Sequence, residues 1–167
     1  MLIGIISDTH DNLNAAKEAV EIFKKRDIST IFHLGDFIAP FTLKTFKGFE
    51  LYGVFGNNDG EKFMIKKVAD DLNFKIDFAP FEVKLANKSF LLLHGLGSVE
   101  RTLKFVDSLA ASQNYDFVLY GHTHIRDFRK RGKTIIINPG EACGYLTGKR
   151  SVAILDVEKG NVEFVEF

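Results

Sequence analysis

At 167 residues the chain has the size of one domain, long enough to bury about 70% of its unfolded surface. Lysine plus arginine and aspartate plus glutamate balance at 22 each, which removes the broad basic field of a sequence-independent nucleic-acid binder, so no clear nucleic-acid surface is expected. No apolar run approaches the ~20 residues of a membrane helix, and the lone Cys143 excludes a disulfide framework; without a signal-peptide pattern, this points to a reducing cytoplasm.

In chain order, "LIGIIS" (2–7) reads as a buried parallel strand that stops abruptly in "DTHDN". Leu13, Ala16, Val20 and Phe23 then fall at helical spacing, which predicts an amphipathic helix over 12–26. "TIFHLGD" (30–36) and "ELYGVFGNND" (50–59) repeat the form of an apolar run stopped by Gly and an acidic or amide residue. A helix with Phe63, Val68 and Leu72 on one side is expected after the second. From residue 74 the pattern alternates, predicting strands 81–86 and 89–93 joined at "ANK" as a hairpin. A helix over 98–111, with Val99, Leu103, Val106 and Leu109 on one face, leads to "DFVLYGHTH". The basic stretch "RDFRKRGK" (126–133) reads as an exposed hairpin around Gly132 rather than a phosphate track, and "SVAILDVEKGNVEFVEF" closes the chain as a last hairpin. Helices interleaved with strands early, and hairpins late, predict a mixed α/β sandwich, two sheets or one large sheet with helices outside, in a single domain over residues 1–167.

Ligand-type residues gather at strand ends. Asp8 and His10 follow the first strand, Asp36 the second and Asn57 and Asn58 the third, while His94 follows "SFLLL" and His122 and His124 follow "DFVLY". Ligands in open α/β sheets bind outside the carboxyl ends of strands, so these loops are expected to converge on one crevice. Each residue alone has a structural explanation: Asp36 as a helix cap, the asparagines as turn residues, a histidine as a satisfied loop side chain. Together, four of the five histidines beside Gly or Asp at strand ends point to a metal site. Imidazole and carboxylate without thiolate suit Mn, Fe, Ni or Zn. If "DTH" and "HTH" are extended, their residues two apart point into one cavity. Asp8, His10, Asp36, Asn57, His94, His122 and His124 are too many donors for one open tetrahedral ion and suit two ions sharing a carboxylate. His33, inside "TIFHLGD", reads as structural, and Cys143 has no visible activating partner. The seventeen phenylalanines read as core, with some available for a homo-oligomer contact.

The ordered set D-x-H, GD, GN-x-D, HG and G-H-x-H, with "SDTHDN", "GNND", "GHTH" and "NPGE", resembles the calcineurin-like metallophosphoesterase superfamily, in particular its small YfcE-type phosphodiesterase branch. The resemblance implies a four-layer αββα sandwich. It implies two divalent ions, Mn or Ni first and Fe, Zn, Co or Mg next. One would be held by Asp8, His10, Asp36 and His124, the other by Asp36, Asn57, His94 and His122, with Asp36 bridging. The implied reaction is hydrolysis of a small phosphate diester by a metal-bridging hydroxide. The superfamily has a histidine where Asn58 stands, oriented by the acid at Asp59. An amide is no general acid, and such help is typically worth ~10² to 10⁴ in rate, so good leaving groups are favoured. Asn58 and Asp59 are the expected catalytic positions, and Asn58, Asp11, Asn12 and Thr123 the expected substrate contacts. The competing readings are a non-catalytic protein-binding scaffold on the same fold, and a phosphomonoesterase or nuclease.

Overall fold

The computed structural model describes residues 1–167. Eleven strands and four helices run in the order β1 (Leu2–Ile6), α1 (Leu13–Lys25), β2 (Thr30–His33), α2 (Pro40–Leu43), β3 (Glu50–Val54), α3 (Lys62–Asp71), β4 (Lys75–Asp77), β5 (Phe81–Leu85), β6 (Lys88–Leu92), α4 (Val99–Ala111), β7 (Phe117–Leu119), β8 (Asp127–Arg131), β9 (Thr134–Asn138), β10 (Ser151–Asp156) and β11 (Asn161–Glu166), with a 3₁₀ turn at Lys44–Phe46. They form a six-stranded sheet, β11-β10-β1-β2-β3-β4, and a five-stranded sheet, β5-β6-β7-β9-β8. β1 to β4 are mutually parallel, as are β6, β7 and β9, and antiparallel pairing joins β10 to β1 in the first sheet and closes both edges of the second. All parallel strands therefore end near one rim of the sandwich, where the site lies.

The layering follows from the period-2 alternation of the strands. Ile3, Ile5, Phe32 and Leu34 face Phe90, Leu92, Phe117 and Ile137 between the two sheets. Ile6, Ile31 and Leu51 turn the other way, onto Ala16, Val20 and Phe23 of α1 and Ile65 and Ala69 of α3. Leu91, Leu93, Val118 and Ile136 pack under Val106 and Ala110 of α4. Burial on both faces explains why "SFLLL" is continuously apolar instead of alternating. The Phe90 ring packs edge-on against Phe32 at 5.1 Å and stacks on Phe117 at 4.8 Å, tying the sheets together at the centre. The result is the expected αββα order.

Some local expectations shift. The helix after "GNND" forms, but its buried face is Ile65 and Ala69 with Val68 and Leu72 half-buried, while Phe63 is 81% exposed. Phe63 lies two residues, about 200° of helix rotation, from Ile65, so it cannot share that stripe. The hairpin expected over 81–93 forms, with Ala86 and Asn87 both at positive φ in its two-residue turn, and the basic stretch turns at Gly132 as expected. β4 and α2 went unpredicted because three or four residues show no period.

Gly4 carries the closest packing in the parallel sheet. A Cβ there would sit 2.8 Å from two carbons of the Phe23 ring, which is fully buried. Gly4→Ala should therefore lower stability by about 1 to 3 kcal/mol. In a Phe23→Leu background the same change should cost much less, a coupling that thermal unfolding of the four proteins in the cycle reads directly.

Candidate metal centre

The loops after β1, β2, β6, β7 and β9 meet through backbone contacts before any side chain is considered. Asp8 N–H donates to the Gly35 carbonyl (3.1 Å), His10 N–H to the Asp36 carbonyl (3.0 Å), Gly121 N–H to the His94 carbonyl (2.9 Å) and Cys143 N–H to the Asp8 carbonyl (3.0 Å). To make these turns Asp8, His10, Asp36, His122 and His124 all take positive φ, between 42° and 66°. Left-handed backbone is uncommon for such residues, and clusters of it mark functional sites. The "DTH" and "HTH" pairs thus converge, but not through the extended backbone that the sequence reading assumed. Left-handed turns bring the side chains together instead. Gly56 is required for a separate reason, since a Cβ there would collide with the Asp36 carboxylate and backbone nitrogen.

Asp36 is the meeting point. Its Oδ1 accepts the Asn58 backbone N–H and its Oδ2 the Asn58 side-chain amide, each at 2.8 Å. His10 Nε2 and His94 Nε2 both lie 3.4 Å from Oδ2. Burial alone would push the Asp36 carboxyl up, but the bonds from His94 and Asn58 outweigh it and hold the group well below the usual carboxylate range. On the other side Asp8, fully buried, takes the Ser7 hydroxyl (2.5 Å) and the His122 N–H (3.1 Å) on Oδ2. Its Oδ1 lies 3.3 Å from His124 Nε2 and 3.8 Å from His10 Nε2. Asn57 Oδ1 stands 3.0 Å from His94 Nε2, and the His94 and His122 rings pack edge-on at 5.2 Å. All seven residues expected as ligands are therefore at one place.

Their donor chemistry fits a divalent cation. Only three buried side-chain atoms in the protein lack a partner, and two of them are Asp8 Oδ1 and His10 Nε2, here. Three histidines are also fixed in tautomer by an acceptor on one nitrogen: His94 Nδ1 by the Leu34 carbonyl (2.6 Å), His124 Nδ1 by Glu141 (2.7 Å) and His122 Nε2 by the Gly97 carbonyl (2.5 Å). A protonated nitrogen on an acceptor leaves the other nitrogen's lone pair for a metal, the usual arrangement behind a ligating imidazole. Asp8, Asp36 and His94 form one group of possible donors, and His10, His124 and Cys143 a second, each with atoms within 4.8 Å of one another. A hydrogen bond to the Asp8 carboxylate raises His10 above the ordinary imidazole value.

Several sequence expectations come out differently. Asn12 is spent on structure: its Oδ1 caps α1 at Ala15 N–H (3.1 Å) and its Nδ2 binds the Cys143 carbonyl (3.0 Å). Thr123 is buried with its hydroxyl on Asn138 (3.0 Å), and Asp11 Oδ1 accepts from Thr42 (2.7 Å) and Ala39 N–H (3.2 Å). Asp59 is fully buried and its carboxylate accepts the N–H groups of Gly56 (2.7 Å), Ile38 (2.7 Å) and Asp36 (3.2 Å), so it staples the "GD" and "GNND" loops rather than waiting for an absent histidine. The Asn58 amide is turned onto Asp36. His33 is structural: it stacks on Phe37 at 3.8 Å, and burial pushes it down to about 3. The sequence reading missed Glu141, whose fully buried carboxylate takes His124, Thr147 (2.7 Å to its hydroxyl), Leu146 N–H and the Cys143 thiol. Burial would raise it, yet Thr147 and His124 hold it down at about 2. Its signal was the last letter of "NPGE". The reading also left thiolate out of the donor set, whereas Cys143 lies beside His10 and His124, with burial pushing its thiol up to about 12.

The family model for the calcineurin-like phosphoesterase superfamily domain matches residues 1–160. The chain belongs to the calcineurin-like phosphoesterase superfamily. Within that superfamily it is 39% identical to phosphodiesterase MJ0936 of Methanocaldococcus jannaschii over 162 residues, 95% of each chain. A solved structure of an archaeal phosphodiesterase superposes with a TM-score of 0.91 at 37% identity over all of both chains. YfcE, a phosphoesterase from E. coli, shares the fold at a TM-score of 0.70 and 20% identity, covering 99% of this chain and 98% of its own.

The stapling role of Asp59 is testable apart from any activity. Asp59→Ala strands three backbone donors and should cost about 2 to 3 kcal/mol in urea unfolding. A loss below about 0.5 kcal/mol would show that the carboxylate does not hold the loops.

Proposed function

We propose that the chain is a divalent-metal-dependent phosphodiesterase, with Asp8, His10, Asp36 and His124 holding one ion and Asp36, Asn57, His94 and His122 the other. The observation that carries this reading is the pair of buried, unpartnered atoms, Asp8 Oδ1 and His10 Nε2, set among imidazoles whose remaining nitrogens are locked elsewhere. Oxygen and nitrogen donors of this kind suit Mn or Ni first, and also Fe, Zn, Co or Mg. When bound, such an ion pair supplies Lewis-acid charge to phosphate oxygens and acidifies water. The resemblance to MJ0936, named as a phosphodiesterase, supports a diester substrate.

The chain's own residues have distinct tasks in this scheme. Asp36 turns its Oδ2 to both His10 and His94, and Asn58 holds the carboxylate there with its backbone and side-chain N–H groups. Asn58 is thus a positioning residue and cannot protonate the departing oxygen. Glu141 fixes the direction of His124 while Leu34 and Gly97 fix His94 and His122. With no side-chain acid placed beside the leaving group, esters of acidic alcohols such as p-nitrophenol are the expected fast substrates.

Manganese titration of the metal-stripped protein should give two equivalents per chain, together with hydrolysis of bis(p-nitrophenyl) phosphate exceeding that of p-nitrophenyl phosphate. Asp36→Ala should abolish tight binding at both positions and lower hydrolysis more than about 100-fold, since one carboxylate serves both ions. Full activity in Asp36→Ala, or in the metal-stripped protein, contradicts the proposal.

A further inference from the structure

Apart from Met1 and Leu2, the large apolar side chains left exposed all lie on loops and element ends at the carboxyl end of the parallel strands. The loops after β3, β6, β7 and β9 each lead into at least one, while the loop after β1 that carries Asp8 and His10 supplies none. Phe63 follows "GNND", Leu96 follows His94, Ile125 follows His124, and Tyr145 and Leu146 follow Glu141 and Cys143. Phe78, 63% exposed, leans on Phe55 at 5.1 Å from the loop between β4 and β5. Large apolar side chains gathered at one end of a soluble protein mark a binding site. Its distribution, around a centre made of carboxylates and imidazoles, is what needs explaining.

Two points connect this rim to the centre. On one flank the Tyr145 ring lies 6.5 Å from the His10 ring, and Tyr145 is 63% exposed. On the other, His94 itself lines a cavity of about 150 Å³ whose remaining walls include Ala79, Pro80, Leu96 and Phe105. His10 and His94 approach the same oxygen of Asp36, each at 3.4 Å. Tyr145 thus stands beside His10 and an apolar cleft beside His94, the two histidines that reach the shared carboxylate. A phosphate diester has two ester groups, one to each side of phosphorus.

We propose that the protein selects phosphodiesters carrying an apolar, aromatic-sized group on each ester oxygen, with Tyr145 receiving one group and the Leu96–Pro80 cleft the other. This rests on the phosphodiesterase reading and names the substrate class of the same site. A second copy of the chain is a poorer occupant, because a two-fold contact through this rim sets two identical anion-binding centres face to face and closes both. Dispersion and burial against an aromatic ring act on the neutral ester groups, while the centre takes the single negative charge of the phosphate.

The test compares diphenyl phosphate with dimethyl phosphate, two diesters of equal charge, by calorimetric titration of the manganese-loaded protein. Diphenyl phosphate should bind at least about 10-fold more tightly. Tyr145→Ala and Leu96→Ser should each remove about 3- to 10-fold of that preference, and Tyr145→Phe should keep it. Equal affinity of the two diesters, or an unchanged preference in both variants, overturns the proposal. So does a wild-type dimer in sedimentation that Tyr145→Ala converts to monomer, since the rim would then belong to a second copy. Turnover of bis(p-nitrophenyl) phosphate is scored separately in the same preparations: its absence contradicts the phosphodiesterase reading, while the binding preference decides the rim.

Discussion

The Asp36 carboxylate is the group on which the end of the sandwich is organised. Its two oxygens are held by Asn58, its Oδ2 is faced by both His10 and His94, and its own backbone is tied by Asp59 on the N–H and by His10 and Thr9 on the carbonyl. Three loops, drawn from both sheets, therefore converge on one residue of a fourth. A buried negative charge in that position is stable only if fully hydrogen-bonded or paired. The fold supplies that compensation through left-handed turns at Asp8, His10, Asp36, His122 and His124, whose backbone strain is outweighed by the loop-to-loop hydrogen bonds.

The same geometry separates residues that present chemistry from residues that hold it in place. Asp8, His10, Asn57, His94, His122 and His124 turn donor atoms toward a common space. Asp59, Asn12, Thr123 and Glu141 are consumed by backbone amides, a helix cap, a buried amide and a histidine. This division explains why conservative changes at the second group should act on folding or on ligand direction and not on the reacting atoms themselves.

Much of this was legible before any coordinates. Strands that end in "SDTH", "GD", "GNND", "HG" and "GHTH" announce their candidate ligands because the loop follows an apolar run, and helices early with hairpins late announce a mixed α/β sandwich, whose four αββα layers the family resemblance implies. Other features were not legible, for physical reasons. Phe63 looks like core in a list of helical apolar residues, yet its angular position sets it in solvent. Asp59 and Glu141 look like catalytic or anonymous acids, because which backbone N–H groups reach them depends on contacts between distant loops. The proximity of Cys143 to His10 and His124 arises the same way, from a loop more than a hundred residues along the chain.

The most direct measurement is anomalous X-ray scattering from crystals grown with manganese. The account predicts two peaks per chain, one against Asp8, His10 and His124 and one against Asn57, His94 and His122, each within bonding distance of Asp36. No peak in this cluster, or a single peak that Asp36 does not touch, would contradict it.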